Sequence, residues 1–341
     1  MSSIENDLVD NERSIDNLVE ITCHAYSSDF FDHDPENPNA GSGLNLWCLD
    51  RESMPIHLII KDAPIYCYVE LPKFLHGTPY RWNEDDIKML KYNWKKVHGK
   101  SAPVKLDLVD RQKLYYYKGD KSKDQMVRAY FTSAKMMNIF GFRIKKLTEY
   151  PDFELLSFQY YEDKVAVRRK VFTILDLAYS QWFTVRGYEI PFDSPDRQAI
   201  QGVEGRRIRE ILVDSYQEID AIPLTVSAGW ITRPRILSWD IETYTDNHYA
   251  LPNVEHPNHV VYMISCLYQV SGRPETLERY VIVMGECGEI ENATVIRVAD
   301  EEDVILQFLK LIETLDPEII MGYNIFNYDY PYIIGRQAQF M

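Results

Sequence analysis

From Leu44 the chain breaks into short runs of clustered or alternating apolar residues. Leu46–Leu49, Ile56–Ile60 and Ile65–Leu71 are such runs, interrupted by Asp, Pro and Gly, the signature of strands joined by turns. Asn83 followed by Glu84, Asp85 and Asp86 offers a helix N-cap with an acidic first turn. Ile87, Leu90 and Trp94 then recur at helical spacing before Lys95 and Lys96. A second strand-to-helix unit is predicted from Leu114–Tyr117, over the turn Lys118–Ser122, to Met126–Phe131 and a helix from about Ser133 carrying Met136, Met137 and Phe140. Strands are expected over Glu154–Tyr161 and Ala166–Leu175, and Pro223–Trp230 with Arg233-Pro234 turns the chain at a domain boundary near residue 230.

Beyond that boundary the pattern becomes more regular. Arg235–Tyr244, Val260–Val270 and Tyr280–Met284 read as strands. Asp300–Asp303 opens a helix whose Val304, Phe308, Leu311, Ile312 and Leu315 follow one face. Asp316-Pro317 stops that helix, Glu318–Tyr323 gives a further strand, and Asp329–Gly335 begins another helix. Three adjacent strands, a helix and one more strand make an α/β layer. The fold class is therefore α/β (α+β), a mixed β-rich domain followed by a layered one, and no internal repeat interrupts it.

Composition sharpens this picture. At 341 residues the chain is long enough for two domains. Its charge, 37 − 52 = −15, opposes non-specific adhesion to phosphate or anionic lipid, so any contact with nucleic acid must be local. The first forty residues hold ten acidic residues against Arg13 alone, and 34–43 is rich in turn residues. Residues 1–43 thus read as a mobile lead-in docked through Phe30 and Phe31. Five cysteines without a C-x-x-C pair suggest neither a disulfide framework nor a zinc ribbon. With no signal peptide and no membrane-spanning apolar run, an intracellular protein without a membrane partner is expected.

The strongest chemical signal is Ile236-Leu-Ser-Trp-Asp-Ile-Glu-Thr243. Strand side chains alternate, so Leu237, Trp239 and Ile241 share one face while Ser238, Asp240 and Glu242 share the other. Two carboxylates about 6 to 7 Å apart repel each other unless something positive intervenes. A divalent cation is the natural neutraliser, and oxygen-only ligands favour Mg²⁺ or Mn²⁺ over zinc. Read alone, an Asp-x-Glu also suits an edge strand facing solvent. The apolar flanks of this one argue for a central strand. A second signal is Gly322-Tyr-Asn-Ile-Phe-Asn-Tyr-Asp-Tyr-Pro-Tyr332, where Asn324 lies in a loop and Asp329 at a helix start with Pro331 just inside. Asn324 could simply make an Asx turn and Asp329 cap the helix; alternatively, Asp329 brings a third carboxylate to the mouth of the sheet.

Asp240-Ile241-Glu242, followed about ninety residues later by Gly322–Tyr332, resembles the first and second exonuclease motifs of family B DNA polymerases in order and spacing. Pro257–Ser265 and the acidic-to-apolar helix ending in Asp316-Pro317-Glu318 are similar to that family too. So are Tyr115–Asp120, Tyr216–Pro223 and Gly229-Trp230, which look like the amino-terminal domain of delta-like and large-DNA-virus polymerases. The resemblance spans about residues 100 to 341. It implies a polymerase amino-terminal domain over 44–230 and the first part of a ribonuclease H-like 3′–5′ exonuclease domain over 231–341, hydrolysing 3′-terminal nucleotides with two Mg²⁺ or Mn²⁺ ions. On the same resemblance Asp240 would bridge both ions, Glu242 would bind the nucleophile-side ion and orient the water, and Asp329 would support the second ion. Asn324 and Tyr328 would contact the frayed single strand. The implied partners are the single-stranded 3′ end of DNA, the palm, fingers and thumb, and a sliding clamp. The implied place is the nucleus or a viral replication compartment. The family's third exonuclease motif, Tyr-x-x-x-Asp, would lie beyond Asp329 and is not within these residues, nor are the polymerase aspartates. A portion of a longer polymerase, with no polymerase site and a nuclease inactive in isolation, is the expectation.

Other readings compete. His248, His256 and His259 with Cys266 invite zinc, although a solvated loop explains them without a common zinc spacing. Lys88, Lys91, Lys95, Lys96 and Lys100, interleaved with Tyr92 and Trp94, could track a phosphate backbone or form a solvated helix face. Tyr115–Tyr117 beside Lys118 and Lys121 could stack bases or half-bury in a strand. A stand-alone exonuclease and a catalytically inactive nucleic-acid-binding or partner-docking module are the alternatives to the polymerase portion.

Overall fold

The computed structural model describes residues 17–32, 42–113, 123–192, 208–246 and 249–340. The earlier elements are β1 (Leu18–Phe31), β2 (Gly43–Asp50), β3 (Pro55–Ile60), β4 (Ile65–Glu70), α1 (Glu84–His98), β5 (Lys105–Arg111), β6 (Asp124–Phe131), α2 (Ala134–Ile144), β7 (Tyr160–Tyr161), α3 (Val167–Ile174), β8 (Trp182–Glu189), β9 (Arg209–Val213) and β10 (Ile219–Ala221). The later ones are β11 (Arg235–Thr243), β12 (Val261–Val270), β13 (Glu278–Met284), β14 (Thr294–Val298), α4 (Glu301–Leu315), β15 (Ile319–Met321) and α5 (Asp329–Phe340). The chain divides into two compact units, breaking mainly after Ala228, with Leu49–Pro55 grouped in the second.

The first unit holds two larger sheets. One runs β1-β2-β3-β9-β8-β10, and β8 also pairs antiparallel with β1, so five of its strands close into a ring. Ile21, Cys23, Leu46, Leu58, Phe183 and Val213 fill its core. The other, β7-β4-β6-β5, buries Cys67, Val127 and Ala129 against Leu90 and Trp94 of α1 and Phe140 of α2. Asn83 caps α1 as anticipated: its side-chain oxygen accepts from the Asp85 and Asp86 amides, and the Asp86 carboxylate accepts from the Asn83 amide.

Three expectations are corrected here. Residues 18–31, assigned to the mobile lead-in, form β1, with Ile21, Cys23 and Ala25 buried and Glu20 outside. Asp32 accepts from the amides of Ala134 and Lys135 at the start of α2. The acidic count had masked the alternation. Ala166–Leu175, expected as a strand, is the helix α3; Val167, Val171 and Leu175 repeat every four residues and turn toward the ring's core. Glu154–Tyr161 supplies only two-residue strands, Leu155–Leu156 and Tyr160–Tyr161. Tyr115–Tyr117, with Lys118 and Lys121, lies outside the described residues.

The second unit is a five-stranded sheet, β14-β13-β12-β11-β15. β11 lies between antiparallel β12 and parallel β15. β14, which the sequence reading lacked, adds parallel to β13. Val304, Ile305 and Phe308 of α4 pack with Leu237, Trp239, Ile264 and Ile282 of the sheet. Asp300 caps α4, and Asp316, in a left-handed conformation (φ 42°), ends it. Asp316 and Glu318 both accept from the Arg235 guanidinium, at 2.7 and 2.8 Å, clipping the start of β15 to the start of β11. No helix among the described residues is long and apolar enough to cross a membrane.

Candidate active site

Alternation along β11 is as the sequence implies. Leu237, Trp239 and Ile241 are buried, while Asp240 and Glu242 are exposed on the opposite face. Trp239 fixes the buried side, its ring 4.7 Å from Phe308 and 4.9 Å from Tyr330. The β11–β12 register slips between Glu242 and Thr243, an irregularity at the carboxylate end of the strand.

What brings Asp329 here is the early end of β15. That strand pairs with β11 only from Ile236 to Ser238, so beyond Ser238 one edge of β11 has lost its strand partner. Gly322 follows at once, and a Cβ there would lie 2.5 Å from the Trp239 carbonyl oxygen, so only glycine lets the backbone approach this closely. Asn324 then takes a left-handed conformation (φ 56°), and its carbonyl accepts from the Asn327 and Tyr328 amides at 3.0 and 3.2 Å. Its side-chain oxygen takes the Asn327 side-chain amide at 2.9 Å. The turn delivers Asp329 to the open edge, where its Oδ1 accepts from the Ile241 amide at 3.3 Å. Asp329 is therefore more than a helix-starting residue: it occupies the place a strand carbonyl would fill.

The electrostatics follow from that position. Asp329 is buried, and burial pushes its carboxyl above the ordinary range, with the neighbouring Asp240 carboxylate adding to the shift. Among the described residues no Lys, Arg or His forms an ion pair with Asp240, Glu242 or Asp329. A buried carboxyl pushed up beside the Asp240 carboxylate, Glu242 on the same strand face as Asp240 and an all-oxygen donor set fit a hard divalent cation. Tyr328 joins the same end of the sheet, its hydroxyl 2.9 Å from the Thr243 hydroxyl. Exposed Tyr323 and Phe326 flank Asn324, aromatic positions that the sequence reading did not single out.

The histidine cluster behaves differently. Asp246, His256 and His259 bring ligand atoms within 4.8 Å of one another. Yet His259 Nδ1 accepts from the Asn253 amide at 2.8 Å, which puts its proton on Nε2, facing Asp246 at 2.9 Å. His256 Nδ1 likewise accepts from the Asn258 amide, at 3.3 Å. In this tautomer neither Nε2 has a lone pair for a metal. Cys266 is a core residue opposite Trp239, its thiol pushed up to about 12 by burial. The zinc reading therefore fails for His256, His259 and Cys266, and His248 lies outside the described residues. On α1 the lysines are exposed and Lys88 pairs with Asp85, but Trp94 is wholly buried and cannot interleave with them on a binding face.

The sequence pattern of the DNA polymerase family B exonuclease domain matches residues 158–340, more than half of the chain. The chain belongs to this family. Relatives include the DNA polymerase 120R of Invertebrate iridescent virus 3, 24% identical over 86% of this chain and 26% of that protein. The DNA polymerase delta catalytic subunit of Plasmodium falciparum is 32% identical over 36% of this chain and 11% of that protein. The DNA polymerase catalytic subunit of Equine herpesvirus 2 is 33% identical over 37% of this chain and 13% of that protein. The chain thus spans about a quarter of the length of the first of these polymerases. The structure of a family B DNA polymerase from Pyrobaculum calidifontis superimposes with a TM-score of 0.58 at 13% identity, covering 94% of this chain and 32% of that one, a likeness of fold.

Proposed function

We propose that the second unit is the first part of a 3′–5′ proofreading exonuclease and that Asp240, Glu242 and Asp329 are its metal-binding carboxylates. The observation that carries this is the seat of Asp329 on the Ile241 amide beside Asp240, a carboxyl that burial, with its neighbour adding, pushes toward protonation. Two Mg²⁺ or Mn²⁺ ions held there would supply an activated water and charge stabilisation for the leaving 3′ oxygen of an in-line displacement. The chain's own work is to hold the carboxylates. Asp240 would hold both ions, Glu242 would hold the nucleophile-side ion and orient the attacking water, and Asp329 would support the second ion. Asn324 and Tyr328 receive the frayed strand; an aromatic ring there stacks on any base, which suits an editing site that must accept every terminal nucleotide.

In this reading the first unit is the amino-terminal domain of a longer family B polymerase. The partners are the single-stranded 3′ end of DNA, the remaining polymerase domains and a sliding clamp, in the nucleus or a viral replication compartment. Mn²⁺ titration followed by thermal unfolding tests the metal site, and anisotropy of a labelled single-stranded oligodeoxynucleotide tests the strand contacts. Stabilisation by Mn²⁺ and weaker oligonucleotide binding by Tyr328→Ala are the expected outcomes. A midpoint indifferent to Mn²⁺ sinks the assignment.

A further inference from the structure

Arg336 lies seven residues beyond Asp329 on α5, on the same buried stripe as Tyr332 and Ile333. It is 3% exposed, and its guanidinium grips Glu301 as a fork: Nε donates to Oε1 at 2.8 Å and Nη2 to Oε2. Nη1 donates to the carbonyls of Val254 and His256, both at 3.1 Å, and to the Gln339 side chain at 2.9 Å. Glu301 Oε1 in turn accepts from the Val261 amide at 2.8 Å. One side chain therefore ties α5 to the first turn of α4, to the first residue of β12 and to the β11–β12 connection. Two further contacts run along the same seam. The Tyr332 hydroxyl donates to the His259 carbonyl at 2.8 Å, and a Cβ on Gly335 would meet Val254 at 2.5 Å.

At the other end of the stripe the Asp329 carboxylate takes one backbone amide of β11, at 3.3 Å, while Tyr330 packs on Trp239 and the Tyr328 hydroxyl meets that of Thr243. The long 3.3 Å bond does not by itself fix the carboxylate's place. A planar bidentate fork fixes both angle and distance, which a point charge cannot do. We propose that Arg336 is a positioning residue for the carboxylate site: its fork on Glu301 sets how far along the sheet α5 sits, and so keeps Asp329 on the Ile241 amide beside Asp240. The metal-binding consequence rests on the function proposed above; the placement of Asp329 does not.

Arg336→Lys keeps Glu301 compensated but removes the fork and the bonds to both carbonyls. Hydrogen exchange at the Ile241 amide should accelerate about tenfold in this variant relative to Ile282→Val, a core substitution in β13 that loosens the unit without touching α5. The Mn²⁺ dissociation constant should rise by about tenfold in parallel, the size of effect that residues supporting metal ligands usually have. Should Arg336→Lys fail to fold, the neutral pair Arg336→Met with Glu301→Gln removes the fork without leaving a buried charge unpaired. Ile241 exchange no faster than in Ile282→Val overturns the proposal. Faster exchange in a protein whose wild type never binds Mn²⁺ upholds the positioning role and overturns the metal reading instead.

Discussion

Two groups of metal-ligand side chains occur in the second unit, and they have opposite characters. At Asp246, His256 and His259 the ring nitrogens that would face a cation are engaged internally: backbone amides donate to both Nδ1 atoms, and the remaining proton of His259 goes to Asp246. In the other group Asp329 interacts with Asp240 and takes a single backbone amide, burial pushes it toward its neutral form, and Glu242 stands exposed on the same strand face as Asp240. Among the described residues only the histidine group brings three ligand atoms within 4.8 Å of one another, so proximity alone does not mark a metal site. What separates the two groups is whether the protein has already supplied the partners a cation would replace. The carboxylate group is short of positive charge, and the histidine group is a finished hydrogen-bond network that closes a loop.

Substitutions can break this contrast. The largest effect is expected for Asp240→Ala: Mn²⁺ at about one hundred times its dissociation constant should stabilise the wild type by about 2.7 kcal/mol and the variant not at all, read from denaturant unfolding with and without the ion. Equal responses would remove the carboxylate group's claim. His259→Ala should cost about 2 kcal/mol of folding stability, because the Asn253 amide and a buried volume both lose their partner. The Mn²⁺ response should survive in that variant; its loss would show the two groups to be one.

Asp329→Asn sharpens the comparison through pH. A carboxyl whose folded pKa is raised binds more protons in the folded than in the unfolded chain between the two values. Wild-type stability without metal should therefore fall as pH climbs from the unfolded value through the raised one, and level off above it. The amide introduced by Asp329→Asn cannot titrate, while its side-chain oxygen still accepts from the Ile241 amide, so a pH series of unfolding midpoints should show the variant without that descent. Mn²⁺ affinity of the wild type should increase across the same window, as cation and proton compete for one carboxylate. The smallest effect is expected on α1: Lys95→Gln should leave stability within about 0.5 kcal/mol and the Mn²⁺ response unchanged.

Legibility followed the range of the interaction. The faces of β11 and the caps of α1 and α4 depend on residues within a few positions, and the alternation at Leu237, Trp239 and Ile241 or the acidic turns after Asn83 and Asp300 could be read directly. The seat of Asp329 could be guessed only as a third carboxylate near a sheet. Its cause, a parallel strand that stops at Met321 and a glycine against the Trp239 carbonyl, is a long-range pairing that no local pattern encodes. Arg336 escaped for the same reason, since its partner is 35 residues upstream and a lone arginine two turns into a helix looks solvent-bound. Charge misled at β1, where acidic residues on the outer face of a strand were counted as disorder. β-branched content misled at α3, where Val167, Val171, Thr173 and Ile174 suggest a strand although Val167, Val171 and Leu175 keep helical spacing.

The ring in the first unit depends on its earliest described strand. β1 covers Trp182–Tyr188 along its length, while the other flank of β8 is served by β9 and β10. A version shortened to begin after Phe31 would strip that side of β8, leaving a row of unpaired amides and carbonyls beside a bare apolar lumen. Such an edge is a template for strand exchange between molecules. Trimming the acidic start to improve solubility would thus invite the aggregation it was meant to prevent.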